Sequence, residues 1–158
     1  MARILRRHLS DDEYRFAYDL VAEVVAVRGE LTYASERLPT PNNILFTQQH
    51  ADLIRDFLVN QFQSQELDAW IKSKRCYYDI TQLKYLMTAC KGHYISDLLT
   101  LPLDDEQGFI CTCAKIAYIG AYFHQKNRKA RSEAVHFIHE WLLSIPPGRF
   151  SFLAASSR

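Results

Sequence analysis

The most continuous apolar stretch of the chain is Phe109-Ile-Cys-Thr-Cys-Ala-Lys-Ile-Ala-Tyr-Ile-Gly-Ala-Tyr-Phe123. At helical pitch it is hydrophobic on nearly every side, with Lys115 the one interruption. It falls short of the roughly 20 apolar residues that cross a bilayer. A helix without a polar face has to be enclosed by other helices. The pattern predicts a buried helix over residues 106–125 at the centre of a helical bundle.

The flanking segments fit that bundle. Ser10-Asp-Asp-Glu13 has the form of a capping box, with acids suited to the positive end of a helix dipole. It predicts a helix from Ser10 to about Arg28, ended by Gly29, with Ala17, Leu20, Val21, Val24 and Val25 inward. Glu30 to Leu38 reads as a short helix, and Pro39-Thr-Pro-Asn-Asn43 breaks the chain. Residues 44–63 predict a second long helix burying Ala51, Ile54, Phe57, Leu58 and Phe62. A short third helix holds Leu67, Trp70 and Ile71.

Asp79 is placed to cap a fourth helix, with Gln82 at its third position and Leu83, Leu86 and Cys90 inward. Gly92 is placed to close it, and Ser96 to Leu101 gives a further turn or two. After the central helix, residues 126–131 form a polar hinge or a continuation. The last helix turns Ala134, Phe137, Ile138 and Trp141 inward and stops at Pro146-Pro147-Gly148. A β-hairpin at 31–46 is the alternative for that region, since Leu31-Thr-Tyr and Ile44-Leu-Phe have strand character. The prediction is all-α: a compact bundle of about six or seven helices, one domain over 1–158.

Composition agrees. The chain has 158 residues, 48% hydrophobic and 13% aromatic, enough for a sizeable core. Gly and Pro number five each, which favours long helices over turn-rich β structure. The net charge of +1 gives no bulk attraction to nucleic acid or anionic lipid. Four cysteines in a chain with this much apolar material do not call for disulfide staples. Met1-Ala-Arg-Ile-Leu-Arg-Arg-His-Leu9 lacks a secretory apolar core. The expectation is a cytoplasmic-type compartment and no membrane span.

Five constellations carry candidate chemistry. Gly29 to Leu38, a break, and Asn42-Asn-Ile-Leu-Phe-Thr-Gln-Gln49 have the layout of a helix-turn-helix. Ala34 allows close packing, Leu38 fills the joint, and Asn and Gln can pair with adenine. Through its Ala-Ser-Glu-Arg-Leu run, residues 34–38, the segment resembles the helix-turn-helix of LysR-type regulators over residues 29–49. The resemblance implies duplex reading by Arg37, Asn42, Asn43, Thr47 and Gln48. The sequence departs from the pattern at Pro39 and Pro41 and lacks a base on the recognition segment to hold phosphate.

Cys90-Lys-Gly-His93 and Cys111-Thr-Cys113 offer three thiols and an imidazole, a ligand set suited to tetrahedral zinc. If 109–123 is helical, Cys111 and Cys113 point about 200° apart and cannot share an ion. The helix is preferred, with buried, inert cysteines and no cofactor. Glu133, His136 and Glu140 lie within two turns of the last helix, a minor candidate for metal-dependent activity. They fall opposite its apolar stripe, which favours a solvated face.

Basic residues cluster at Arg3, Arg6 and Arg7, at Lys72, Lys74 and Arg75, and at Lys126, Arg128, Lys129 and Arg131. They make a phosphate-binding patch only if the fold gathers two groups.

Finally, the tyrosines Tyr77, Tyr78, Tyr85, Tyr94, Tyr118 and Tyr122 exceed what a small core needs, and Arg149-Phe-Ser-Phe-Leu153 is an apolar tail. Aromatics of this kind suit interfaces with one dry and one wet side. The functional expectation is a non-enzymatic helical interaction module, an adaptor, assembly subunit or regulator. It would bind a protein partner or itself through Tyr77, Tyr78, Tyr94, Phe150, Phe152 and Leu153. A DNA-binding regulator using 31–49 is the alternative.

Overall fold

A computed structural model describes residues 2–29, 45–62, 64–73, 79–98, 106–124, 127–146 and 150. The fold is an all-helical bundle, with no strand among the described residues. Its elements are α1 (Ala2–Gly29), α2 (Gln48–Asp56) followed by a π-helical turn (Phe57–Gln61), α3 (Ser64–Ser73), α4 (Ile80–Leu98), α5 (Glu106–His124) and α6 (Ala130–Ser144).

Helix α5 is the axis. Phe109, Ile110, Cys113, Ala114, Ile116, Ala117, Ile119 and Phe123 have no solvent exposure, because α1, α2, α4 and α6 all pack on it. Each large apolar side chain so enclosed contributes roughly 1.5–3 kcal/mol. The direction of each neighbour follows from its side-chain pairs. His50, Phe57 and Phe62 meet Glu106, Lys115 and Tyr118 in that order, so α2 and its π turn run parallel to α5. Phe16 meets His50 and Glu23 meets Arg55, so α1 runs with them. Tyr94 meets Phe109, and Lys84 and Lys91 meet Glu133 and Trp141. Helices α4 and α6 therefore run side by side, opposite to α5.

The α5–α6 corner is built by Asn127. Its amide donates to the Phe123 carbonyl at 2.8 Å, and its side-chain oxygen accepts from Lys129 N at 3.1 Å. The first is still a bond of α-helical spacing; the second closes a side-chain turn that leads into α6. Beyond the corner α6 folds back so closely that Gly120 of α5 lies against Ala130 and Ala134.

Several element bounds differ from the sequence expectation. Helix α1 begins at Ala2, not Ser10. Ala2 to Leu9 holds no Gly or Pro and several strong helix formers, so the helix runs through the Ser10 pattern, and an interior serine cannot be an N-cap. Helix α4 does not stop at Gly92 but continues to Leu98. An interior glycine costs only about 1 kcal/mol, and Tyr94 and Lys91 packing against Trp141 ties down the turns around it. Helix α2 starts at Gln48, not residue 44: Leu45 and Phe46 form bends, Thr47 is the N-cap, and the helix becomes π-helical at Phe57. The short helix of 30–38 and most of the alternative hairpin lie outside the described residues. The Asp79 cap is present, its Oδ1 accepting from Gln82 N at 2.8 Å.

Candidate functional site

Helix α4 presents the least ordinary surface among the described residues. Leu83, Leu86 and Met87 are fully buried, and Cys90 and Tyr94 lean inward beside them. At about 100° per residue, Thr81, Tyr85, Thr88, Gly92 and Ile95 share the opposite face, and all five are exposed. Tyr85 is 61% exposed and Ile95 42%. A charge borders this stripe: Lys84, 59% exposed, lies one turn from both Thr81 and Thr88. The flanking lysines turn towards α6: Lys84 Nζ reaches Glu133 Oε2 at 3.6 Å, and Lys91 Nζ sits 5.6 Å from the centre of the Trp141 ring. A methyl group placed on Gly92 would touch nothing within 4 Å.

The outer surfaces of neighbouring helices are polar by contrast. Helix α6 exposes Ser132, His136 and Glu140, with one apolar residue, Leu143. Helix α2 exposes Gln48, Gln49, Asp52 and Asp56. A surface helix normally keeps its outer face charged or polar, so the stripe of α4, charged only along its Lys84 edge, stands out.

One edge of that helix joins an aromatic cluster. Phe109 stacks on Trp141 at 4.7 Å and on Phe150 at 5.1 Å. Tyr94 meets Trp141 edge-on at 5.6 Å and Phe109 at 6.2 Å. Of the expected interface residues, Tyr94 is half-buried in this cluster and Phe150 is 3% exposed. Phe150 therefore packs back on its own bundle, and its ring is spent on the core. Tyr77, Tyr78, Phe152 and Leu153 lie outside the described residues. Among the other tyrosines, Tyr118 is buried against Phe62 and Tyr122 half-buried.

The two described residues of the DNA-reading set have structural work. Thr47 is the N-cap of α2, its hydroxyl accepting from His50 N at 3.4 Å. Gln48 donates to Asp52 Oδ1 at 2.9 Å, which places a carboxylate beside it, unsuited to phosphate. Arg37, Asn42 and Asn43 lie outside the described residues.

The thiols and imidazole of the zinc set do not converge. Cys113 points fully into the core, Cys111 and Cys90 are half-buried, and His93 is exposed on α4. Two residues apart on a regular helix, Cys111 and Cys113 diverge as their spacing requires. Among the described residues no three His, Cys, Asp or Glu side chains are grouped to hold a metal. Burial pushes the Cys90 thiol up to about 11, partly offset by nearby Lys115, and raises the fully enclosed Cys113 thiol well above its ordinary value too. Both are protonated at neutral pH and poor nucleophiles. His136 and Glu140 are exposed, as the apolar stripe of α6 required, and Tyr14 of α1 lies against His136 and His139.

Two of the basic groups separate along the bundle, and Lys74, Arg75 and Lys126 lie outside the described residues. Positions 3, 6 and 7 lie at the start of α1, whereas Arg128, Lys129 and Arg131 lie at the α5–α6 corner, the other end. Arg131 Nη2 donates to His124 Nε2 at 2.6 Å.

Lys115 is half-buried, with its ammonium 5.9 Å from the centre of the Phe57 ring. Its stem covers apolar surface while the charge meets an aromatic face, which explains how the central helix tolerates it. No helix among the described residues is long and apolar enough to cross a membrane. Comparison with protein-family models, curated proteins and solved structures gives no match.

Proposed function

We propose that this chain is a non-enzymatic helical interaction module that docks a helix of a protein partner, or of a second copy of itself, on the outer face of α4. One observation carries the proposal: Thr81, Tyr85, Thr88, Gly92 and Ile95 form an exposed, uncharged stripe on a helix whose inner face is already filled. Tyr85 and Ile95 supply the large side chains that gain most on desolvation. Gly92 lies between them and lets a partner backbone come close. Lys84 and Lys91, held along one edge towards α6, form a charged rim that sets orientation more than affinity. Tyr77 and Tyr78, immediately before α4 in the chain, extend the same proposal in sequence.

The test compares Tyr85→Asp and Ile95→Asp with Val59→Asp, an exposed residue on the π turn. Solution mass against concentration reads self-association; co-purification from the native cell reads a foreign partner. The proposal expects both α4 variants to lose the association and Val59→Asp to keep it, all three retaining helicity. Equal association in all three would overturn it.

A further inference from the structure

The N-terminus of α2 is closed by an unusual device. In an ordinary capping box the residue at the third helical position is Glu or Gln, reaching back to the cap amide. Here that residue is His50. The Thr47 hydroxyl accepts from His50 N at 3.4 Å, and the Thr47 amide donates to His50 Nδ1 at 3.1 Å. A ring nitrogen that accepts carries no proton, so the neutral ring holds its proton on Nε2. Nε2 faces Glu106 Oε1 of α5 at 4.0 Å. The ring also lies edge-on to Phe16 of α1 at 5.6 Å and beside Phe46 at 5.8 Å. One imidazole thus caps α2 and fastens it to both α1 and α5.

We propose that His50 is a proton-operated latch, closed while Nδ1 is bare and opened when a proton on Nδ1 breaks the reciprocal bond of the α2 cap. The protonated ring has two N–H donors and no acceptor. Nδ1–H would then meet the Thr47 N–H, donor against donor, so the bond from the cap amide is lost and the only acceptor Thr47 can offer it is its hydroxyl, at 3.4 Å. The first turn of α2, just after the buried Leu45, keeps the Thr47 hydroxyl on the His50 amide but loses the reciprocal bond from the Thr47 amide.

The surrounding charges set when this happens. Glu106 faces the ring from α5 and pulls towards the protonated form, as does a backbone hydrogen bond to Leu45; burial opposes them and wins, holding the imidazole below its ordinary value of 6.5. From α1, the face that carries Phe16 also carries Asp12, Asp19 and Glu23. Glu23 is engaged by Arg55 of α2 at 3.8 Å. On α2 itself, Asp52 is occupied by Gln48. The latch is accordingly shut at neutral pH and opens in mild acid.

The test is a nuclear magnetic resonance titration of the whole chain, following the His50 ring nitrogens and the Thr47 amide. The expected result is the Nε2–H tautomer at neutral pH, and a Thr47 amide proton that shifts with the ring at one midpoint below 6.5. In His50→Gln the amide shift should be absent, because glutamine accepts from the cap amide at every pH. An Nδ1–H tautomer at neutral pH would overturn the proposal. So would a Thr47 amide indifferent to the ring, or one that still titrates in the glutamine variant. The wild-type titration decides on its own if that variant does not fold.

Discussion

Gly120 of α5 faces Ala134 of α6 at a distance that leaves no room for a side chain. A methyl group on Gly120 would lie 2.7 Å from Ala134 Cβ and 3.2 Å from the Ala130 carbonyl oxygen. Backbone cannot give way as a flexible side chain can, so the two helices would have to separate. Gly120→Ala should therefore destabilise the fold by about 1–3 kcal/mol, the usual cost of overpacking. This should outweigh the better helix propensity of alanine, about 1 kcal/mol. Thermal unfolding checks it, and pairing the change with Ala134→Gly should recover part of the loss.

Phe109 is the hub of the cluster that joins α4, α5, α6 and Phe150. It has no exposure and stacks on Trp141, Phe150 and Tyr94. Phe109→Ala should cost about 3–5 kcal/mol. Trp141 fluorescence should change with the same substitution, since its ring loses its nearest neighbour. Chemical denaturation followed by that fluorescence measures both.

Glu13 and His50 push stability in opposite directions with pH. Glu13 is 9% exposed, and its Oε2 makes no hydrogen bond to a described residue. Burial, helped by Asp12, raises its carboxyl above the ordinary 4.5. The folded chain holds that proton more tightly than the unfolded chain, so the contribution is complete below 4.5 and lost as pH rises through the folded value. His50 is lowered below 6.5, so its contribution is present above that value and lost as pH falls through the folded one. Glu13→Gln should raise stability at neutral pH by on the order of 1 kcal/mol, because no charge is then buried. The gain should shrink in acid. Unfolding curves over a pH series test both signs.

Cys90 and Cys113 should resist alkylation in the folded chain. With its thiol near 11, Cys90 holds little thiolate at pH 8, and Cys113 is fully enclosed. Lys115→Met should slow Cys90 further, because the charge that partly offsets burial is gone. Mass spectrometry after iodoacetamide treatment, with and without denaturant, checks the order.

Much of this architecture is written in local pattern, and the exceptions have physical causes. The run 109–123 could be read as a buried helix because no polar face competes within it, and Asp79 as a cap because its carboxylate reaches the Gln82 amide. The Ser10 pattern misleads because nothing before it stops a helix. Gly92 misleads because side-chain packing on Trp141 outweighs the cost of one glycine. The Thr47–His50 cap escapes notice because histidine rarely fills the third position of a capping box. The π turn at Phe57–Gln61 has no sequence signal of its own. Tyr85 is only one of six surplus tyrosines in the sequence and is absent from the expected interface set, because the stripe it shares with Ile95 becomes visible only once α4 is known to pass Gly92. Composition also does not reveal that Phe150 is taken up by Phe109.

The proposed role of α4 rests on its outer face being a contact surface. The most direct measurement is the association state of the wild-type chain beside Tyr85→Asp and Ile95→Asp, by sedimentation for self-association and by co-purification for a foreign partner. An association that both substitutions abolish, with helicity and unfolding temperature unchanged, is the predicted result. An association that survives both substitutions unaltered would contradict it.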